Sequence, residues 1–148
     1  MISNLSTESP EIKELFKLAL LARENAYAPY SKYKVGAAIR TVHGTLYSGC
    51  NIENSSYGAT NCAERVAIQK AVSEQGVSEI IEIMVVTEAD PPWPPCGMCR
   101  QVISEFSKSC KIYLANPAGR IDTLEFEELF PQAFTPAHLL TSGGEDLE

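Results

Sequence analysis

The stretch Cys62-Ala63-Glu64, with Pro95-Cys96-Gly97-Met98-Cys99 further along, constrains this chain more than any other feature. Cys96 and Cys99 are three apart, which puts both sulfurs on one side of a helix's first turn. Cys62 opens a second helix, and a fold that brings the two helix entries together gathers three thiols. Three thiols can close three sides of a tetrahedron around Zn²⁺ and leave the fourth open to water. Structural zinc sites usually have four protein ligands, whereas catalytic ones keep a vacancy. No fourth Cys or His stands at ligand spacing, so the count favours chemistry over redox pairing or half of a structural knuckle. Helix N-termini also lower thiol pKa through the dipole and free N–H groups, so thiolates form there readily.

Glu64 taken alone is a solvated carboxylate on a helix surface. Beside a catalytic zinc it gains a task, because the activated water needs a proton acceptor. Residues two apart do not share a helix face, so Cys62 and Glu64 are expected to converge at the helix's entry turn. Zn²⁺ with three thiolates carries a net negative charge and is a poorer Lewis acid than zinc on imidazoles. Arg65 and Arg100 are the candidates to donate to the sulfurs and withdraw that charge. Cys50 and Cys110 lack partners at useful spacing and are expected as small buried hydrophobes.

At 148 residues the chain is expected to be one domain, 1–148. No apolar run approaches the ~18 residues that span a bilayer, so no membrane partner is expected. The start, Met1-Ile2-Ser3-Asn4-Leu5-Ser6, lacks the basic and apolar regions of a signal peptide, which points to the cytoplasm. Five cysteines in that compartment are reduced thiols, free to bind metal. The net charge is −7, from 12 basic and 19 acidic residues. A nucleic-acid binder needs a basic surface to neutralise phosphates. An acidic tail (Glu145, Asp146, Glu148) would repel a polyanion further, so a small uncharged ligand fits better.

Pro10 to Asn25 reads as a helix, with Ile12, Leu15, Phe16, Ala19 and Leu20 at helical spacing. Lys34 to Arg40 and Thr45 to Cys50 read as a hairpin turning at His43-Gly44. Asn51 to Asn61 is a polar loop, and Cys62 to Glu74 a second helix. Ile80 to Thr87 is an apolar, β-branched run, expected as a buried central strand. Pro91, Pro92, Pro94 and Pro95 make a stiff loop up to Cys96. A helix over Gly97 to Phe106, strands over Lys111 to Ala115 and Arg120 to Leu124, and a helical turn over Glu125 to Leu129 follow, then an irregular tail from about Pro131. Strands alternating with helices imply an α/β fold in three layers, α/β/α, around a mixed central sheet of about five strands.

The stretches Pro29-Tyr30-Ser31, Val35-Gly36-Ala37-Ala38, Gly49-Cys50-Asn51-Ile52-Glu53-Asn54-Ser55-Ser56-Tyr57-Gly58, Cys62-Ala63-Glu64-Arg65 and Pro95-Cys96-Gly97-Met98-Cys99-Arg100-Gln101 together resemble the small homotetrameric cytidine deaminases. The likeness runs from the first helix to Leu129-Phe130-Pro131-Gln132-Ala133-Phe134. The three-thiol motif with a non-ligand Glu marks the zinc deaminases in general, and Asn51-Ile52-Glu53-Asn54 narrows it to the nucleoside branch. The resemblance implies a hydrolase acting on C–N bonds of cyclic amidines. It would convert cytidine and 2′-deoxycytidine to uridine and 2′-deoxyuridine plus ammonia in pyrimidine salvage, with one zinc per chain on Cys62, Cys96 and Cys99 and Glu64 as proton shuttle. It further implies that Asn51 and Glu53 bond the ribose 3′-hydroxyl, that the Ala63 backbone meets the pyrimidine's amide edge, and that Tyr33 lies against the base. Tyr57 and Phe134 would reach into a neighbour's site in a homotetramer. Tyr33 stands where the family often has Phe, Pro94 where Ser commonly precedes Pro-Cys-Gly, and Trp93 is bulky for its place. The alternatives are a deaminase of another small aminated heterocycle, such as blasticidin S, a nucleic-acid editing deaminase, which the acidic charge opposes, or a non-catalytic zinc module.

Overall fold

The computed structural model describes residues 1–140, so the acidic Glu145, Asp146 and Glu148 lie outside the described residues. The chain runs β1 (Ile2–Asn4), α1 (Pro10–Glu24), β2 (Gly36–Thr41), β3 (Leu46–Cys50), α2 (Ala63–Gln75), β4 (Ile80–Val86), α3 (Gly97–Phe106), β5 (Lys111–Ala115), β6 (Arg120–Glu125), α4 (Phe126–Leu129) and α5 (Pro136–Leu140). One six-stranded sheet has the order β1-β6-β5-β4-β2-β3. β4 and β5 pair in parallel across the α3 crossover, and the other neighbours are antiparallel.

The alternation of side chains on β2, β4 and β5 splits the core into two. Ala38, Met84, Val86, Tyr113 and Ala115 meet Leu15, Phe16 and Ala19 of α1 on one face. Ile39, Ile83, Val85, Ile112 and Leu114 meet Ala67, Ile68 and Ala71 of α2 and Ile103 of α3 on the other. The register explains the continuity: Ala38 pairs with Met84 and Met84 with Tyr113, while Ile39 pairs with Ile83 and Ile83 with Ile112. A period of two thus sorts each strand's residues between the helical layers.

Helices pack on both faces of a mixed sheet as expected, and the sheet has six strands where about five were expected. β1 adds to the edge strand β6, with Ser3 opposite Ile121, and is too short to carry a hydrophobic pattern of its own. β2 starts at Gly36 rather than Lys34, because side chains hold the preceding backbone. Lys34 O accepts from Arg23 Nε at 2.9 Å, and Val35 N donates to Asn51 Oδ1 at 2.8 Å. The tail is not wholly irregular, since Pro136 opens α5 and Thr135 N donates to His138 Nδ1 at 3.0 Å.

α1 begins where the Ser9 side chain accepts from Ile12 N, with Pro10 in its first turn. It lies close against the hairpin because Gly36 has no side chain: a Cβ there would stand 2.0 Å from Ala19 O. No helix among the described residues is long and apolar enough to cross a membrane. Cys110 is buried just before β5, as expected, and Cys50 is only half-buried.

Candidate active site

Cys62 is the N-cap of α2 and Cys96 the N-cap of α3, so the two helices present their first turns to each other just beyond the C-terminal end of β4. The crevice outside a strand's carboxyl end is where open α/β sheets place their ligands. The Sγ atoms of Cys62, Cys96 and Cys99 all lie within 4.8 Å of one another, and Cys62 and Cys96 are 3.8 Å apart. Zn–S bonds of about 2.3 Å at tetrahedral angles separate sulfurs by about 3.8 Å, so the donor set and its spacing fit zinc.

The thiols already polarise one another. Cys62 is pulled down to about 5, first by the hydrogen bond from Cys99 and then by Arg65 and Cys96. Cys99 is pushed up, because it is the donor to Cys62 and because it is buried. Arg65 Nη2 lies 3.6 Å from Cys62 Sγ and donates to Thr60 O at 3.2 Å. Arg65 is thus placed to donate to the Cys62 sulfur. Arg100 does not fit that expectation. Its Nε donates to Pro95 O at 2.8 Å and its Nη1 to Leu129 O at 2.6 Å, so it braces the loop before Cys96 against the end of α4.

Glu64 is buried, 4% exposed, in the first turn of α2. Burial raises its pKa to about 7, its own backbone N–H opposes that, and the charge of Cys62 adds to it. A carboxyl poised near neutrality beside a metal site is suited to take and return a proton. Ala63, just before it, is fully buried at the helix start.

The candidates Asn51 and Glu53 belong to a braced loop. Glu53 is 8% exposed and accepts from Tyr30 N at 2.8 Å, from Ser31 N at 3.2 Å and from the Ser31 hydroxyl. These bonds hold its carboxyl below the usual range, the Ser31 hydroxyl contributing most. Asn51 Nδ2 donates to Tyr33 O at 2.8 Å while its Oδ1 holds Val35. Tyr30, Ser31, Glu53, Tyr57 and Thr60 line a pocket of about 350 Å³. Sequence reasoning did not single out Ser31 or Thr60; the Tyr30-Ser31 pair in the family-like stretch was the available signal. A larger cavity of about 840 Å³, between the end of α3 and residues 130–137, includes none of the thiols among its described lining.

The aromatic candidates are exposed side chains with ring partners of their own. Tyr33 pairs with Trp93 at 4.8 Å between ring centroids, and Tyr57 meets Tyr30 edge-on at 6.1 Å. Phe134 stacks on His138 at 5.4 Å, and its carbonyl accepts from Gln101 Nε2 of α3 at 2.8 Å.

Residues 9–115 match the family described as the cytidine and deoxycytidylate deaminase zinc-binding region. This chain belongs to that family. The match makes it a zinc-binding deaminase domain, and the three thiols are the donors suited to one zinc ion. A cytidine deaminase of Halalkalibacterium halodurans is 50% identical over 122 residues, which is 82% of this chain and 92% of that protein. One of Sporosarcina psychrophila is 48% identical over 130 residues, 87% of this chain and 95% of that protein. The crystal structure of cytidine deaminase from Burkholderia pseudomallei superposes with a TM-score of 0.78 at 44% identity, covering 82% of this chain and 98% of that one.

Proposed function

We propose that this deaminase hydrolyses the 4-amino group of cytidine and 2′-deoxycytidine, giving the uracil nucleoside and ammonia. The observation that carries the reading is Glu64, a carboxyl buried in the entry turn of the helix that carries the first of three clustered thiols. Relatives covering more than four-fifths of the chain bear the name cytidine deaminase, which supports the substrate.

Cys62, Cys96 and Cys99 hold the zinc in this reading. When bound, zinc supplies a Lewis acid that brings water within reach of deprotonation near neutral pH. Glu64 takes a proton from the attacking water and delivers it to N3 while the water oxygen bonds to C4. Glu64 then carries the proton of the new C4 hydroxyl to the amino group. The C4–N bond breaks, the C4 carbonyl forms and ammonia leaves. Arg65 draws charge from the Cys62 sulfur, from 3.6 Å. The Ala63 backbone serves the amide edge of the base.

Asn51 and Glu53 serve the sugar. Asn51 keeps one amide proton and one lone pair beyond its two backbone bonds, and Glu53 keeps acceptor capacity beyond Tyr30 and Ser31, so both can still meet a hydroxyl. Tyr33 lies against the base. The assembly is a homotetramer in which Tyr57 and Phe134 close a neighbour's site. Phe134 is 56% exposed and Tyr57 77% exposed in the single chain, which supports a role outside their own core. The whole chain acts as one domain in the cytoplasm.

Glu64→Gln tests the reading. It should keep about one zinc per chain and lose turnover by about 10²- to 10⁴-fold, the usual worth of a general acid–base group. A variant that loses its metal instead makes Glu64 a ligand and overturns the scheme.

A further inference from the structure

The loop that delivers Cys96 carries an aromatic residue that the mechanism does not use. Pro92 and Pro95 are buried, and between them Trp93 stands 46% exposed. Its backbone is fixed, since Trp93 N donates at 3.1 Å to Oγ1 of Thr87, a buried residue whose own N–H bonds Ala115 O of β5. Prolines with fixed φ flank it on both sides, so the indole is presented by a stiff segment anchored to the sheet. Its ring contact is Tyr33, at 4.8 Å between centroids and 45° between planes.

Tyr33 belongs to the other half of the site. Its carbonyl accepts from Asn51, and its N–H donates at 3.1 Å to Ser31 Oγ, the hydroxyl that bonds Glu53. The Trp93–Tyr33 contact therefore joins the loop braced by Asn51 and Glu53 to the loop that ends in the Cys96 thiol. Both rings remain about half exposed, Tyr33 at 49%, so the pair is not part of either core cluster. Its effect falls on the spacing between the metal end and the loop end of the cleft.

We propose that Trp93 is a positioning residue for the nucleoside: it fixes the Tyr33 ring and ties the two loops into one preformed wall. The proposal rests on the nucleoside reading of the site. A wall that is already ordered lowers the conformational cost of binding and leaves the proton transfers at Glu64 untouched. Trp93 acts through Tyr33, so its loss falls on KM more than on kcat.

Trp93 is the sole tryptophan, so its emission reports on this wall alone. In the zinc-loaded protein, adding uridine, the product, should change that emission saturably. Trp93→Ala should keep its zinc content and melting temperature and raise the KM for cytidine about threefold or more, with kcat changing less than KM, given what an aromatic pair contributes. Trp93→Phe should restore most of the loss, because a ring still meets Tyr33. If wild type turns over cytidine while Trp93→Ala changes KM by less than about threefold, or if saturating uridine leaves the emission unmoved, the positioning role is overturned and the nucleoside reading stands. If wild type releases no ammonia from cytidine, both fall together.

Discussion

Gly49→Ala tests whether the packing of α2 on the hairpin sets the geometry of the thiols. Gly49 lies in β3 opposite Ala37, directly beneath α2. A Cβ at this position would stand 2.5 Å from Ala67 N, 2.6 Å from Ala63 O and 2.9 Å from Val66 Cβ. Two of these are helix backbone atoms that cannot rotate away, so α2 itself must move. Restoring ordinary contact requires a shift of about 0.9 Å, against the ±0.2 Å that metal–ligand distances tolerate. Cys62 rides on α2 while Cys96 and Cys99 ride on α3, so the shift changes the 3.8 Å spacing between Cys62 and Cys96. Overpacking of this kind costs about 1–3 kcal/mol, partly offset because Ala suits a strand better than Gly by about 0.5–1 kcal/mol. Denaturant unfolding of the zinc-free protein and zinc competition against a chromogenic chelator read the two effects separately. The expectation is a net loss of up to about 2.5 kcal/mol and at least about a tenfold weaker hold on zinc. Gly58→Ala is the control, since nothing lies within 4 Å of a Cβ there. A Gly49→Ala protein that binds zinc as tightly as wild type would refute the idea that helix spacing positions the thiols.

Arg65→Ala should lower kcat by about 10- to 100-fold with a smaller rise in KM, and shift the rising limb of the pH–rate profile to higher pH, because unrelieved thiolate charge makes the attacking water less acidic; an unchanged profile removes Arg65 from the charge balance. Glu53 is held below its ordinary carboxyl value, chiefly by the Ser31 hydroxyl, so its bonds stabilise the fold above the unfolded value of 4.5 and that contribution is lost as pH falls through the lower folded value. Urea melts of zinc-free wild type and Ser31→Ala from pH 6 downward should converge in acid, and curves that stay parallel contradict the assignment. Phe134→Ala should keep zinc and a tetrameric mass by light scattering while raising the KM for cytidine, and an active monomer would end the shared-site proposal.

The elements with strong periodic signal were legible. Leu15, Phe16 and Ala19 sit in the core where their spacing put them, and α3 and β5 keep the bounds read from the sequence. The three thiols converge because each opens or enters a helix, a local fact visible in Cys62-Ala63-Glu64 and Cys96-Gly97-Met98-Cys99. What stayed hidden depends on distant partners. β1 is a strand only because β6 lies open beside it. Arg100 follows a thiol in sequence, yet its guanidinium answers to carbonyls at Pro95 and Leu129, which chain order does not reveal. Asn51 and Glu53 stand in a polar loop, and nothing in chain order names the groups they bond. The structure gives them a turn role through Tyr33, Val35, Tyr30 and Ser31, on which the proposed sugar role is superimposed.

The two ends of the cleft are built from different materials, and the difference has a physical reason. The thiols and Glu64 sit on the entry turns of helices packed against the central sheet, where Ala63, Ala67 and Ile68 are fully buried. Metal ligation and proton transfer fail over fractions of an ångström, so they need that rigidity. The end proposed to take the nucleoside is made of loop backbone, held by the side chains of Asn51 and Glu53 and joined to the Cys96 loop by the Tyr33–Trp93 contact. Hydroxyl and ring contacts tolerate small adjustments, and loops braced by a few polar side chains supply them without disturbing the sheet. The division predicts a separation of kinetic effects. Substitutions that move α2 or α3, such as Gly49→Ala, fall on zinc retention and kcat. Substitutions in the braced loops, such as Ser31→Ala, fall first on KM. A loop variant that loses zinc as readily as a helix variant would show that the two halves are mechanically one unit, with the Trp93–Tyr33 contact or the Arg100 brace carrying strain between them.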